Sequence, residues 1–217
     1  MYELPLFPLN TVLFPGTPIR LHIFEPRYRL MIRDCLEKSA VFGIVLIRRG
    51  MEALGPLPDP YPIGCTARII EIEPLGNGRI NLTAIGQERF EILRLNHEHP
   101  YLVGTIREYP LQESHSINVS RSCHSIRKQV DHYLHLVSKI GEDQFAGLEI
   151  PDDTLAFMYM AASLLQIPAI EKQPMLACPT ANELMSLLKR VYAREVALFE
   201  RLSPVKKELA ERVSWLN

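Results

Sequence analysis

The sequence predicts an α+β protein, with a small closed or nearly closed β-barrel in residues 1–112 followed by an α-helical bundle in residues 113–217. Three observations support this order. Short apolar runs interrupted by prolines fill the first part, and an Asn-Gly turn joins two longer apolar runs in its middle. After a polar linker at residues 110–116 the hydrophobic period becomes helical. Two domains with a boundary near residue 112 are therefore expected.

The stretch Leu4–Tyr28 forms the predicted framework of the barrel. Its prolines stand at positions 5, 8, 15, 18 and 26. Proline cannot donate to a sheet ladder and favours extended backbone in the residue before it, so the stretch predicts short strands at 3–6 and 19–24 rather than one long helix. Phe14-Pro15-Gly16 predicts a tight turn, because proline fixes φ and glycine accepts positive φ.

Four further segments complete the predicted barrel. Residues 40–47 are too apolar for an edge strand and predict a central one. Gly76-Asn77-Gly78 lies between apolar runs and predicts a hairpin. The alternation changes phase at Ile69-Ile70, which predicts a β-bulge. The remaining strands are predicted at 63–72, 79–85, 88–95 and 101–109, and residues 51–62, rich in proline, predict an extended loop.

Helices are predicted from apolar spacing and end signals. The first begins at Pro26, and its apolar face contains Tyr28, Met31, Ile32, Cys35 and Leu36. In the second half, one helix carries an apolar face from Ile126 to Val137 and ends near Gly141. Another, 155–166, follows a cap at Asp152 or Asp153 and is apolar around most of its circumference. Thr180 and Glu183 predict a capping box, and Ser203-Pro204 predicts either a new start or a kink that leads into a last helix.

Composition excludes several classes of function. The 217 residues carry 24 basic and 25 acidic side chains, which gives a net charge of -1. The protein therefore lacks the excess of positive charge that is typical of phosphate-backbone binding, and nucleic acid is an unlikely partner. The sequence contains no apolar stretch long enough to span a membrane and no signal peptide, which predicts a soluble, cytoplasmic protein without a membrane partner. The 4 cysteines have no C-x-x-C spacing and predict buried, reduced thiols.

Three blocks of the sequence carry a resemblance to a known family. LPLFPLNTVLFPG followed by IFEPRY resembles the opening of the substrate-recognition amino-terminal domain of Lon proteases, as found in stand-alone Lon-domain proteins and in the related part of cereblon. The segment Ile63–Ile92 is similar to the family's second block. Leu155–Leu184 is similar to its helical part, with a Glu-Lys-Gln signature at Glu171, Lys172 and Gln173.

The resemblance implies a PUA-like pseudobarrel with helices after it and a non-catalytic role in binding unfolded or extended protein segments, as a substrate-recognition module or an adaptor. It leaves open a separate ATP-dependent protease as a second partner. A full Lon protease also carries an ATPase and a serine-lysine protease domain, whereas this sequence has no G-x-x-x-x-G-K-[ST] loop. No enzyme activity and no cofactor are therefore expected.

Other candidate chemistry has simpler explanations. His124, His132 and His135 lie on one predicted helix, where a solvated face is favoured over a metal site because suitable partners cannot be placed. The pair Asp152-Asp153 is explained by helix capping rather than acid–base catalysis. No G-x-S-x-G elbow is present. The sequence thus predicts neither a catalytic residue nor a metal ligand.

The predicted peptide-binding residues lie at the end of the framework and in the proline-rich loop. They are Phe24, Arg27, Tyr28, Met51, Leu54 and Leu57. Exposed methionine and leucine on a loop suit a binder of varied partners. The alternative is structural: Glu25 faces a helix amino terminus and Arg27 forms a local ion pair.

Two other function classes remain open. PUA-like barrels occur in RNA-associated proteins, so an RNA-binding module is the main alternative, and it requires a basic face. A hydrolase or small-molecule site between the two domains is the third possibility. The sequence does not indicate the partner, the oligomeric state or the surface that binds.

Overall fold

The structure of the protein is a computed structural model that describes residues 1–38, 40–53, 55–114, 117–139 and 149–214. The chain divides into two compact units. The first unit comprises Met1–Gln112 and Ala162–Pro179, and the second comprises Glu113–Ala161 and Thr180–Asn217. The boundary near residue 112 stays a prediction, and residues 162–179 group with the barrel strands rather than with the other helices.

In the described residues of the first unit, seven strands form one sheet. Five of them are hydrogen-bonded in the order β1-β7-β6-β5-β3, and a parallel pairing of β1 with β3 closes the ring. Strand β2 pairs with β6 outside this ring, and β4 pairs with β3. The strands are β1 (Tyr2–Leu9), β2 (Pro18–Ile23), β3 (Phe42–Arg49), β4 (Asp59–Pro60), β5 (Ile63–Pro74), β6 (Ile80–Asn96) and β7 (Leu102–Glu108).

Strand β1 contains Pro5 and Pro8, and its pairing explains how a barrel strand tolerates them. Residues 2–6 pair with β7, and residues 6–9 pair with β3. Each proline therefore has a ladder partner on one side only, so its missing N–H removes no hydrogen bond from a strand that is flanked on both sides. The strand is longer than predicted because the two halves use different neighbours.

The predicted turn at Phe14-Pro15-Gly16 is confirmed. Thr17 N–H donates to the Phe14 carbonyl oxygen at 3.2 Å, and Gly16 has a φ of 74°. Gly16 N–H donates to the Gly86 carbonyl oxygen at 2.8 Å, and Gly86 N–H donates to the Thr17 carbonyl oxygen at 3.0 Å. Gly16 and Thr17 together thus lie opposite Gly86, which is a β-bulge with Gly16 in the left-handed conformation. Gly86 has no space for a side chain, because a Cβ would lie 2.2 Å from the Phe14 carbonyl oxygen.

The central hairpin and its bulge are also confirmed. Strands β5 and β6 pair antiparallel on either side of the short 3-10 turn Gly76–Gly78, where Asn77 has a φ of 63°. Their register shifts between Ile69 and Glu71, where the alternation changes phase. The prediction of separate strands at 79–85 and 88–95 was wrong, because β6 runs through both. Its first half pairs with β2 and its second half with β7, so one long strand joins the two parts of the sheet.

Helix α1 (Pro26–Glu37) packs on the core of the barrel. It begins at Pro26 as predicted, and Tyr28, Met31, Ile32 and Cys35 are buried. Leu36 was expected on the same face but is 44% exposed. It follows Cys35 directly, and one step of about 100° turns its side chain away from the stripe that the core covers.

Residues 162–179 pack on the barrel, and they include helix α4 (Ala169–Ala177). The buried Arg89 of β6 donates from Nη1 to the carbonyl oxygens of Leu176 and Cys178, both at 2.7 Å. The Glu-Lys-Gln signature has a structural role here. Gln173 donates to the Ile63 carbonyl oxygen, and Lys172 Nζ donates to the Ser163 carbonyl oxygen at 2.8 Å. These residues hold α4 and its flanking chain against the strands.

The second unit contains helices α2 (Ile117–Ser138) and α5 (Ala181–Ser214), which pack on each other, and the first part of α3 (Thr154–Leu164). Tyr133 lies edge-on to Tyr192, with ring centroids 5.3 Å apart, and Tyr192 donates to the Ala161 carbonyl oxygen at 2.7 Å. Of the predicted apolar face, Ile126, Val130, Tyr133 and Val137 are buried and Leu134 is half-buried. Gly141, predicted to end this helix, lies outside the described residues.

The predicted caps at the starts of α3 and α5 are confirmed. The Ala156 N–H donates to Asp153 Oδ1 at 2.8 Å, so Asp153 is the cap of α3. At α5 the Glu183 N–H donates to Thr180 Oγ1 at 3.2 Å. The predicted new start at Ser203-Pro204 was wrong, because α5 is one helix that continues to Ser214, whereas the predicted kink stays a prediction. In the part of the chain that the structure describes, no helix is both long and apolar enough to cross a membrane.

Candidate peptide-binding site

A cleft of about 290 Å³ lies in the first unit, where β2 leads into α1. Its walls come from the end of β1, the whole second half of β2, the start of α1 and the loop after β3. Proline at the first position of α1 fixes the change from strand to helix at Glu25, whose backbone is still extended. The lining residues are Phe7, Leu9, Arg20, Leu21, His22, Ile23, Phe24, Glu25, Tyr28, Glu52 and Ala53.

Tyr28 forms the floor of this cleft and combines an apolar ring with a polar group. It is 3% exposed, and its ring centroid lies 4.2 Å from that of Phe7. Among the described residues, no group hydrogen-bonds to its hydroxyl. Burial raises the pKa of Tyr28 to about 12; the Arg27 guanidinium opposes this increase, and the Glu25 and Glu52 carboxylates add to it. The hydroxyl therefore remains a neutral hydrogen-bond donor at physiological pH.

Arg27 supports the wall of the cleft rather than its opening. Its Nε lies 2.9 Å from Glu25 Oε2, and both side chains are mostly buried. Its Nη1 donates to the Gly55 carbonyl oxygen at 3.0 Å, and its guanidinium carbon lies 4.8 Å from the Tyr28 ring centroid. The predicted local ion pair is thus present. Arg27 joins the start of α1 to the proline-rich loop and holds Tyr28 between them.

The other predicted rim residues differ in exposure. Phe24 is 46% exposed and stacks on His22, with centroids 6.0 Å apart. Met51 is 58% exposed and precedes the lining residue Glu52. Leu57 is half-buried and packs against a cluster in the barrel core. Leu54 lies outside the described residues. The structure therefore brings Phe24 and Tyr28 into one cleft. Met51 is the sequence neighbour of Glu52, which lines the same cleft.

Several cleft residues were not predicted from the sequence. Phe7 and Leu9 were assigned to the framework, and Arg20 and His22 to a strand, without a role in binding. Pro18 is the signal that could have identified this surface, because proline inside a sheet is confined to edge strands, strand ends and bulges. The carboxylate of Glu52 could not be assigned, since its position depends on the hydrogen bond from Asn10 N–H to Glu52 Oε2 at 2.8 Å.

The remaining candidate chemistry has structural explanations. His132 Nε2 lies 3.0 Å from Glu200 Oε1, and within the described ranges no group of histidines, cysteines and carboxylates could hold a metal ion. All four cysteines are buried free thiols. Burial raises the pKa of Cys35 to about 11 and that of Cys65 to about 12, so these two thiols remain protonated and unreactive near neutral pH.

Comparison with known proteins identifies the family. The sequence model of the family "ATP-dependent protease La (LON) substrate-binding domain" matches residues 3–191. The chain belongs to this family. Lon protease 1 of Herpetosiphon aurantiacus is 24% identical over 217 residues, which cover 98% of this chain and 27% of that protein. The Lon protease of Anaeromyxobacter dehalogenans is 34% identical over 104 residues, 48% of this chain and 12% of that protein. The chain thus spans about a quarter or less of these Lon relatives.

Two solved structures share the fold of this Lon domain. A Lon N-terminal domain protein from Xanthomonas campestris has a TM-score of 0.59 at 24% identity and covers 89% of this chain and 98% of its own. The N-terminal domain of Mycobacterium avium complex Lon protease has a TM-score of 0.64 at 16% identity and covers 90% of this chain and 98% of its own. The predicted α+β class, with a PUA-like barrel followed by helices, is confirmed.

Proposed function

We propose that this Lon-type domain binds exposed, unfolded or extended segments of other proteins and catalyses no reaction itself. It acts in the cytoplasm as a substrate-recognition module or adaptor, with a separate ATP-dependent protease as its second partner. Family membership supports the class of function. The observation that carries the proposal is the cleft beside β2, in which an exposed aromatic side chain adjoins a buried floor with an unsatisfied hydroxyl.

The size and lining of the cleft favour a side chain of a protein over a cofactor. Its volume of about 290 Å³ is at the lower end of the roughly 300–1,000 Å³ typical of small-molecule pockets. Phe7, Leu9 and Ile23 make its inner wall apolar, and Phe24 offers an exposed aromatic surface at the edge. One or two apolar side chains of an extended segment would therefore fit, while the chain to which they belong stays outside.

The proposed binding surface includes all six predicted residues, which have different roles. Phe24, Tyr28 and Met51 contact the bound segment. Arg27 fixes the geometry of the wall through its bonds to Glu25 and Gly55. Leu54 and Leu57 belong to the same proline-rich loop in the sequence, and Leu57 is half-buried. A loop of this composition adapts to varied sequences, as a recognition module requires.

A binding assay with a defined unfolded protein tests this function. The probe is fluorescently labelled α-lactalbumin, either reduced and carboxymethylated or in its native form. We expect the unfolded probe to bind and the native one not to bind. The substitution Phe24→Ser should weaken binding about tenfold, because it removes one exposed aromatic contact. Leu36→Ser is the matched control, since Leu36 is 44% exposed but lies outside the cleft.

Equal affinity of the Phe24→Ser and Leu36→Ser variants would remove the cleft from the proposal, and equal binding of both probes would contradict recognition of unfolded segments. The proposed lack of catalysis is tested separately. Hydrolysis of ATP or cleavage of casein by the purified chain, free of contaminating protease, would contradict it.

RNA binding gains no support from the surface of β2. An open cleft of about 830 Å³ lies there, over β2, β5 and β6. Arg20 and His22 share it with Glu71 and Glu73. Two carboxylates thus share this cleft with Arg20, whereas a phosphate backbone needs a positive surface.

A further inference from the structure

We propose that the free edge of β2 binds an extended peptide as an additional antiparallel or parallel strand, through backbone hydrogen bonds at Arg20 and His22. This inference rests on the proposed function, because it specifies how the same cleft holds its ligand. Among the described strands, β2 pairs with β6 alone, so its other edge is open. An open edge presents a row of backbone donors and acceptors that only another extended chain can satisfy together.

The hydrogen bonds at the bulge establish which residues face the open edge. Gly86 N–H donates to the Thr17 carbonyl oxygen, so Thr17 faces β6. In an antiparallel ladder, alternate residues direct their backbone groups to the same side. The register continues without a shift from Pro18 opposite Ile85 to Ile23 opposite Ile80. Odd-numbered residues of β2 therefore face β6, and even-numbered residues face the open edge.

Pro18 agrees with this assignment. It is even-numbered, so its nitrogen, which has no hydrogen to donate, faces the open edge and removes no bond from the ladder. The next two even-numbered residues, Arg20 and His22, each present one N–H and one carbonyl oxygen at that edge. Within the described part of the chain, no hydrogen bond to these four groups is present.

The cleft lies along this edge. Its lining includes the consecutive residues 20–25. Side chains of consecutive strand residues point to opposite faces, so a cleft that touches all of them borders the backbone itself. On the far side lie Tyr28 and Glu52, which belong to α1 and to the loop after β3. A strand added to β2 would therefore occupy the space between β2 and these elements.

The two faces of β2 define the sequence that an added strand should have. Leu21 and Ile23 point to the core cluster that contains Phe7, Leu9 and Tyr28. Residues of the peptide on this face would enter the cleft and should be apolar. Arg20 and His22 are exposed on the other face. Peptide residues beside them should be acidic or polar, because neighbouring charges on adjacent strands favour opposite sign. The ligand class is thus an extended peptide with alternating apolar and acidic residues.

A second copy of this chain is a less suitable occupant. Two β2 strands paired edge to edge with Arg20 of one copy opposite Arg20 of the other would place two guanidinium groups side by side on the same face. Cross-strand pairs of like charge are destabilising. A peptide carries no such constraint and can supply the carboxylates that these side chains lack. The charges on β2 therefore favour a peptide.

The experiment compares backbone and side-chain changes on both partners. The probe is a fluorescein-labelled peptide of alternating valine and glutamate, eight residues long, with two analogues that are N-methylated at the valines or at the glutamates. N-methylation removes backbone donors without changing the side chains. In an added strand, alternate N–H groups face β2, so we expect one analogue to bind about tenfold more weakly and the other to keep its affinity.

On the protein, His22→Pro removes the N–H at the open edge, and His22→Ala removes the side chain but keeps that N–H. We expect His22→Pro to bind the unmodified peptide about tenfold more weakly than His22→Ala does, because both variants lose the imidazole and only the proline variant loses the backbone donor. Circular dichroism confirms that both variants are folded. If His22→Pro does not fold, the peptide analogues still test the inference, because they leave the protein unchanged.

The outcomes separate the two levels of the proposal. Equal affinity of both N-methylated analogues, with binding still dependent on Phe24, would overturn strand addition and leave the proposed function in place. No binding of any peptide or of the unfolded protein probe would contradict both. A concentration-dependent dimer that His22→Pro abolishes would show that the edge pairs with a second copy, which would also overturn the inference.

Discussion

Gln173 donates from Nε2 to the carbonyl oxygen of Ile63 at 2.9 Å, although the two residues lie 110 positions apart in the chain. Gln173 belongs to α4, and Ile63 is the first residue of β5. The glutamine is 4% exposed, and within the described residues its Oε1 has no hydrogen-bond partner. This bond connects the helical segment 162–179 to the barrel at a point where water cannot substitute for it.

The first prediction concerns this bond. Gln173→Glu keeps the shape of the side chain but replaces the donor with a carboxylate oxygen that faces a carbonyl oxygen. We expect a decrease of about 2–4 kcal/mol in the free energy of unfolding at neutral pH, since a buried charge without a partner is costly. Chemical denaturation measures it. Gln112→Glu, at an exposed position, is the control and should change stability by less than about 0.5 kcal/mol.

The second prediction concerns the hydroxyl of Tyr28. Its pKa is about 12 in the folded protein and 10.0 for an unperturbed tyrosine. Between these values the unfolded chain loses its proton first, so the folded state binds more protons and the free energy of unfolding falls as pH rises. Below pH 10 this contribution is complete. We expect wild-type protein to lose at most about 2 kcal/mol more than Tyr28→Phe between pH 10 and pH 12.

Denaturation of both proteins across this pH range checks the difference, and the other tyrosines titrate equally in both. At neutral pH Tyr28→Phe should be at least as stable as the wild type, because it removes a buried hydroxyl that has no partner within the described residues. An identical decrease above pH 10 would mean that Tyr28 is not shielded from water in the folded state.

The third prediction concerns the proposed domain boundary at residue 112. Arg89 is 2% exposed and depends on the carbonyl oxygens of Leu176 and Cys178. A fragment of residues 1–112 lacks these two acceptors, so Arg89 loses both hydrogen bonds and the segment that covers it. We expect this fragment to melt at a lower temperature than the whole chain. A synthetic peptide of residues 162–179, added separately, should raise its melting temperature.

The same peptide with Gln173→Glu is the control and should stabilise the fragment less, because it cannot donate to Ile63. If the fragment alone melts like the whole chain and the peptide has no effect, residue 112 is the end of an independent domain. That result would show that the contacts of residues 162–179 add little to the stability of the barrel.

The sequence alone determined the features that depend on a few neighbouring residues. The turn at Gly16 and the hairpin at Asn77 follow from backbone dihedrals that these residue types accept. The bulge near Ile69 follows from a change of phase within one strand, and the caps at Asp153 and Thr180 follow from side chains that bond the next turn of helix. In each case the stabilising partner is close in sequence, so the pattern contains the whole interaction.

The tertiary structure decided which elements adjoin. The bond from Arg89 to Cys178 spans 89 positions, and nothing near either residue indicates the other. The edge position of β2 is likewise a property of the sheet, because it depends on how β6 shares its length between β2 and β7. Apolar periodicity in the sequence indicates that one face of an element is buried. It does not identify the element that covers this face, because that depends on packing throughout the core. The cleft therefore had to be found in three dimensions, although Phe24 and Tyr28 were already candidates from the sequence.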